Sequence, residues 1–497
     1  MPSRSPLPIL VLVGLGSMFL YRISINIVDP DLWHEMALGR EIVDRGMVPH
    51  EDTFAYTPTL SPVVHHEWGA GLIAYFLAVK VGAAGIVIAK YALAFGLAAV
   101  CSVSAYRRGA GVEVMSFLWP IAILLLDHGF SPIRAQMYSF LFTACLLYWM
   151  DRDLEGNRWW LVAWLVTFAC WLNMHAGFLV GAGIYALYWL ERVIRGEPHV
   201  HLLLAGVAMG ILINANPYGT AYYRYLFRAV PMRRPLVDEW APLWHSGTGY
   251  QIGLFLLSLV LLLYVIRGVG VTKFRGLPIV LVTAMFALKS TRMLDFYAIT
   301  WICYVPAHLQ STPLGRAMQQ LYANRYKTMC ALWTLVVLAM GSLAIVNKPW
   351  ELRVPGRPVS GIMNAVFYPV GAVNYLAENG FHGNLMVPFD HGAYVTWKLY
   401  PDVKVSIDSR YEVAYPAGAV EENYRLYMAE ERWEQILTSY PTDAVLVPMS
   451  LPLAKRISRV EDWQRVYSDG YFDVYARSTC AMPAVQVSAE AVSGEFP

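Results

Sequence analysis

Charge is what this chain has least of. Only 15% of its 497 residues are Asp, Glu, Lys or Arg, while 57% are hydrophobic. A soluble domain carries about 25% charged residues, so most of this chain is suited to lipid rather than water. Cysteine is also sparse: Cys101, Cys145, Cys170, Cys303, Cys330 and Cys480, with no CxxC pair. Five of the six lie in apolar runs, where a thiol behaves as a small hydrophobe. That excludes a disulfide framework and a thiolate metal site. A net charge of +2 provides no basic surplus for a nucleic-acid partner. No small-residue cleavage site precedes the first acidic loop, so the first apolar segment is expected to be a retained helix.

Long hydrophobic runs are plentiful. The first, Leu7 to Ile27, is about 20 residues, enough to cross a bilayer. Others follow at about 84–106, 114–127, 136–150, 159–173, 176–194, 201–214, 250–266, 276–288, 293–309 and 328–346. Basic residues punctuate every second loop: Arg4, Arg107-Arg108, Arg152 with Arg158, Arg192 with Arg195, Lys273 with Arg275, and Arg316 to Lys327. Basic loops stay in the cytoplasm, which predicts about eleven spans over residues 1–346, the amino terminus inside and the carboxyl terminus outside. Residues 68–82 are apolar too, but a further span there would invert every later loop. They are read as a re-entrant or interfacial helix. Residues 32–45 are expected to form a second surface helix, capped by Asp29 or Asp31 and ended by Gly46.

Composition changes after the last span. Residues 347–360, rich in Pro, Gly and Arg, read as a linker. Strands at Asn384–Pro388, Val403–Asp408, Ala444–Pro448, Trp463–Ser468 and Phe472–Ala476 alternate with helices at 369–379, 391–399, 419–438 and 450–457. This predicts an extracytoplasmic α/β domain over 361–478, followed by a disordered tail over 479–497. The fold class is thus an α-helical polytopic membrane protein with a carboxyl-terminal α/β domain.

The unusual residues fall in the outer loops. Asp29-Pro30-Asp31 follows the first span, then come His34, Glu35 and His65-His66-Glu67; Arg134, Lys289 and Arg292 lie in later outer loops. Acids and histidines at the mouth of a helical bundle are costly unless water, a metal or a polar ligand meets them. Each has a plain structural alternative: a helix cap for Asp-Pro-Asp, a hydrogen-bonded ring for each histidine, and lipid headgroup contacts for the arginines.

An acid just past the first span, a long first outer loop with two surface helices, and basic residues in later outer loops resemble the GT-C superfamily of polytopic glycosyltransferases. Protein mannosyltransferases and lipid A aminoarabinose transferases are examples. The likeness covers roughly residues 7–310. Asp31-Leu32-Trp33-His34, His66-Glu67-Trp68 and Tyr394–Arg410, with Trp397, Tyr400-Pro401-Asp402 and Ile407-Asp408-Ser409-Arg410, are similar to little-characterised bacterial members. The Lys-Pro-Pro of some relatives is absent, and His65-His66-Glu67 stands in its place.

The resemblance implies a bacterial inner-membrane enzyme that moves a sugar from a polyprenyl-(di)phosphate donor to a glycan, lipid or protein acceptor at the outer face. Its leaving group is already a phosphate, so positive charge matters more than a general acid. Arg292, Lys289 and Arg134 are the expected phosphate ligands. One carboxylate, Asp31 or Asp29, suffices as the base of an inverting displacement. His65, His66, Glu67, His34 and Glu35 are candidate ligands for a divalent metal or for the substrate, and the metal is the open cofactor question. The rival functions are a transporter or flippase of a lipid-linked sugar, and a non-catalytic envelope scaffold.

Overall fold

The computed structural model of the protein describes residues 6–358, 366–480, 482–487 and 494–497. Parts of the expected linker, α/β domain and tail (359–365, 481 and 488–493) lie outside the described residues. Contacts divide the chain into two units. One comprises Met1–Asn26, Val87–Ala215 and Arg233–Glu351; the other comprises Ile27–Ile86, Asn216–Met232 and Leu352–Pro497.

The first unit is mostly helical, with a two-residue strand at Pro132–Ile133. A helix covers each apolar run of the sequence, and Leu294–Gln310 is the buried axis: nearly all its residues from Leu294 to Pro306 are inaccessible. It packs against Val112–Phe130, Gln136–Leu154, Gly249–Val269 and Leu277–Lys289. Leu7–Ile23 packs against Tyr326–Val346, where a side chain at Gly14 would come within 2.4 Å of the Trp333 ring. Glycine is required there because the indole occupies the space.

Among the described residues three helices, Ala83–Arg107, Gly249–Val269 and Tyr326–Val346, are long and apolar enough to cross a membrane. Leu7–Ile23, Trp68–Val81, Trp160–Trp171, Val200–Leu212 and Leu277–Lys289 are apolar but shorter. Gly249–Val269 and Tyr326–Val346 present Val260, Leu263, Leu335 and Leu338 outward, each at least 60% exposed. Such a surface suits hydrocarbon, where only internally hydrogen-bonded backbone is tolerated. An amphipathic helix at Pro313–Asn324, capped by Thr312, interrupts the stretch between the last two runs.

The second unit joins the segment after the first helix, Ile27–Ile86, to the carboxyl-terminal residues. Its six-stranded sheet runs Val403–Val405, Gly383–Met386, Ala444–Pro448, Phe472–Arg477, Trp463–Ser468 and Val485–Gln486 in spatial order. The first three are mutually parallel, and the hairpin of Trp463–Ser468 and Phe472–Arg477 is antiparallel. Residues from the first loop extend the sheet: Tyr56 N–H donates to Val405 O, and Val405 N–H donates to Phe54 O, both at 3.0 Å. An edge strand with unpaired amides is thereby covered. The 419–438 helix expected from sequence is two helices, Ala419–Tyr427 and Trp433–Ser439, separated by Ala429 and Arg432 at positive φ. The 450–457 segment forms two 3-10 turns instead of an α-helix. Within the 479–497 tail, Val485–Gln486 forms the edge strand parallel to Tyr467–Ser468.

Candidate functional site

In the second unit the acidic triplet opens the helix Pro30–Arg45. Asp29 is the cap: its backbone is extended and its carboxylate accepts the Asp31 N–H at 3.0 Å. Pro30, with no N–H to satisfy, sits in the first turn. Asp31 follows there, its side chain 35% exposed. Gly46, left-handed at φ 70°, ends the helix. This helix packs on Trp68–Val81 through glycines. A side chain at Gly39 would come within 2.6 Å of Gly71 O, and one at Gly71 within 2.5 Å of Glu35 O.

His34 lies one turn after Asp31, its Nδ1 4.0 Å from Asp31 Oδ1 and 2.9 Å from Ser409 Oγ. Burial pushes its pKa down to about 4, against the opposing field of Asp408, so the ring is neutral at pH 7. His65 is likewise held well below the ordinary value, by burial and by the nearby Arg410 charge. His66 stacks on Tyr225 with ring centroids 5.3 Å apart, and its Nε2 lies 3.3 Å from Glu67 Oε1. Glu35 is buried, 2% exposed. Among the described residues no three His, Cys, Asp or Glu side chains converge in a way that could hold a metal ion.

Behind this set lies a buried ion triad. Arg410 donates from Nε to Asp408 Oδ1 at 2.8 Å and from Nη1 to Asp52, while Nη2 donates to Tyr415 OH at 3.3 Å. All three ionic side chains are at most 1% exposed. Burial raises the Asp408 pKa, but the Arg410 guanidinium outweighs it and holds the carboxylate below its ordinary value. The triad ties the first loop to the Ile407–Arg410 string, and Ser409 between its members meets His34.

The basic candidates belong to the first unit. Arg134 lies two residues before the helix Gln136–Leu154, and Arg292 lies in the 3-10 turn Thr291–Met293 that leads into Leu294–Gln310. One carboxylate gathers both: Arg134 Nη1 donates to Glu239 Oε2 at 2.8 Å, and Arg292 Nη1 donates to Glu239 Oε1. Ser290 Oγ donates to Glu239 O at 3.0 Å, and Thr291 N–H donates to Ala241 O at 3.1 Å, which fixes the two loops together. Arg292 also stacks on Trp240, 5.3 Å from the ring centroid, and its Nη2 lies 3.3 Å from His175 Nε2. His175 is held by Gly177 N–H and Ser139 Oγ, both 2.8 Å from Nδ1. Lys289, at the end of Leu277–Lys289, is exposed.

The first unit thus brings Arg134 and Arg292 together, with Lys289 three residues before Arg292. Asp29, Asp31, His34, Glu35, His65, His66 and Glu67 share the other unit. Sequence reasoning passed over Glu239, although an acidic pair beside Trp240 in a basic outer loop was a usable signal. It also passed over Asp295. That residue is 1% exposed, and its Oδ1 accepts the Gly129 N–H at 3.2 Å. Its Oδ2 has no hydrogen-bond partner among the described residues. An acid inside an apolar run is the kind of residue that marks function in membrane helices.

The sequence matches no family model and no curated protein. Solved structures do match. ArnT from Cupriavidus metallidurans bound to undecaprenyl phosphate aligns with TM-score 0.56 at 13% identity, over 94% of this chain and 97% of that one. The same protein in its apo state aligns with TM-score 0.53 at 13% identity over the same shares. The fold of this chain is therefore similar to that of ArnT along nearly its whole length.

Proposed function

We propose that the protein is an integral-membrane glycosyltransferase that takes its sugar from a polyprenyl-phosphate donor. The observation that carries this reading is fold likeness along 94% of the chain to a protein solved with undecaprenyl phosphate. The paired Arg134 and Arg292, with Lys289 nearby, supply cationic groups suited to the phosphate; guanidinium binds phosphate oxygens bidentately. Glu239 holds the two guanidinium groups in place before the ligand arrives.

The reaction in this reading is one inverting displacement. The acceptor oxygen forms a bond to the anomeric carbon as the bond from that carbon to the phosphate oxygen breaks. Asp31 takes the acceptor hydroxyl proton, and the electron pair leaves with the polyprenyl phosphate. Asp31 is the preferred base because Asp29 already caps the helix. Neutral His34, fixed by Ser409, borders that carboxylate without adding charge. In this reading the acceptor, a glycan, lipid or protein, meets the donor at the outer face of a bacterial inner membrane, and the alternation of basic loops supports that side.

The test is turnover of purified protein with a panel of polyprenyl-phosphate sugars. Asp31→Asn should lower kcat by 10²-fold or more, on the order of a lost general base, while donor binding persists. Arg292→Ala with Arg134→Ala should weaken donor binding instead. Unchanged turnover in Asp31→Asn, Asp29→Asn and the double variant would sink the mechanism. Lipid binding without turnover for every sugar would point to a carrier.

A further inference from the structure

Four basic loops that sequence patterning puts on the cytoplasmic side contribute to one place in the first unit. Arg107, Arg108, Arg192, Arg195 and Arg275 line a cavity of about 320 Å³. They face three lining carboxylates, Asp151, Glu155 and Glu191; Glu197 pairs with Arg192 and Arg275, and Asp153 beside Arg192 also pairs with Arg158. The helix Gln136–Leu154 has Arg134 just before its start and Asp151 near its end. Its 19 residues span about 28 Å, so this cavity is separate from the Arg134–Arg292 pair.

The five guanidinium groups are not equivalent. Arg108 is built into the wall: it lies 3.9 Å over the Tyr304 ring and donates to Leu147 O at 3.0 Å. Arg192 is 8% exposed and donates to Pro198 O. Arg107, Arg195 and Arg275 keep 26%, 23% and 46% of their side-chain surface open. The partner of Arg107, Glu155, is itself 47% exposed. Exposed ion pairs of this kind contribute little, so a better oxyanion displaces such a partner readily. The cavity already accommodates one oxyanion. The Glu191 carboxylate accepts the Gly276 N–H at 2.9 Å and the Arg195 Nε–H at 3.0 Å, at the start of Leu277–Lys289. Met150, Leu154 and Ala307 add apolar wall beside these cations.

We propose that this cavity binds a phosphate ester, with Arg107, Arg195 and Arg275 as its ligands. Basic pockets between helices at the cytoplasmic leaflet suit anionic phospholipid headgroups, and the apolar wall would meet glycerol and the first acyl carbons. A soluble phosphate presents the same oxygens without the tail. The site is independent of the proposed sugar transfer.

The experiment uses full-length protein in detergent, titrated with phosphatidylglycerol, phosphatidylcholine or inorganic phosphate and read by native mass spectrometry and thermal shift. Phosphatidylglycerol is expected to be retained about tenfold better than phosphatidylcholine, and Arg107→Gln with Arg275→Gln should abolish that preference. Stabilisation by inorganic phosphate, lost in the same double variant and with no lipid preference, would support the site and identify a soluble ligand. The Arg107→Lys, Arg275→Lys variant keeps the charge and should retain part of the binding, which separates ligand loss from misfolding. Arg316→Gln removes a basic residue outside the cavity lining. If it weakens binding equally, or if the glutamine double variant binds like wild type, the proposal is overturned. Absence of binding by all three probes overturns it too.

Discussion

At the residue scale, the most consequential groups are ionic side chains taken out of water. Removing one member of a buried ion pair leaves an uncompensated charge, at about 3–5 kcal/mol. Arg410→Met should therefore destabilise the protein by that order, by leaving Asp52 and Asp408 facing each other. A fall in melting temperature in chemically matched micelles checks this; an unchanged value would contradict the triad. His34 gives a pH signature. Its folded pKa, about 4, lies below the unfolded value of 6.5, so its neutral form contributes stability that is complete above pH 6.5. That stability drains away as pH falls from 6.5 toward 4, by about 3 kcal/mol in all. The depressed Asp408 acts in the same direction at lower pH, being stabilising above its unfolded value and lost on acidification. Unfolding midpoints measured from pH 7 to pH 4 should drop, and His34→Gln should flatten the slope.

At the scale of elements, close helix packing depends on missing side chains. Pro30–Arg45 and Trp68–Val81 meet where Gly39 and Gly71 face backbone and Cβ atoms that cannot move aside. Gly71→Val should part these helices and destabilise the first loop by a few kcal/mol, in the range of overpacked cores. Because Asp31 lies in the first turn of one of them, the proposed sugar transfer should fall with stability, whereas substitution at Gly46, with open space around it, should cost only its left-handed backbone. Both helices were legible as apolar or capped segments. Their mutual approach was not, since glycine spacing inside a helix has no meaning until its neighbour is known. The 419–438 segment failed as one helix for a similar reason: Ala429 and Arg432 adopt positive φ, a break that no Gly or Pro announces.

At the scale of the whole molecule, the carboxyl-terminal residues and the first loop form one folding unit. Sheet pairing through Phe54 and Tyr56, the Trp33 ring lying 5.1 Å from Tyr394, and the Asp52–Arg410 pair all hold it. Deleting residues 352–497 should therefore expose the first loop to proteolysis between residues 47 and 67. Protection equal to wild type would refute the shared unit.

Composition was enough to mark a chain rich in long apolar helices, three of them among the described residues long and apolar enough to cross a membrane, because the cost of placing charge in hydrocarbon constrains every residue along such a segment. Apolar periodicity and turn residues likewise located the carboxyl-terminal strands, since both signals are local. Which side chains meet was decided only in three dimensions. Glu239 gathers two arginines distant in sequence, Ser409 reaches His34 across 375 positions, and four loops close on one basic cavity. Such encounters depend on packing between segments, and a linear pattern of residue types carries no record of it.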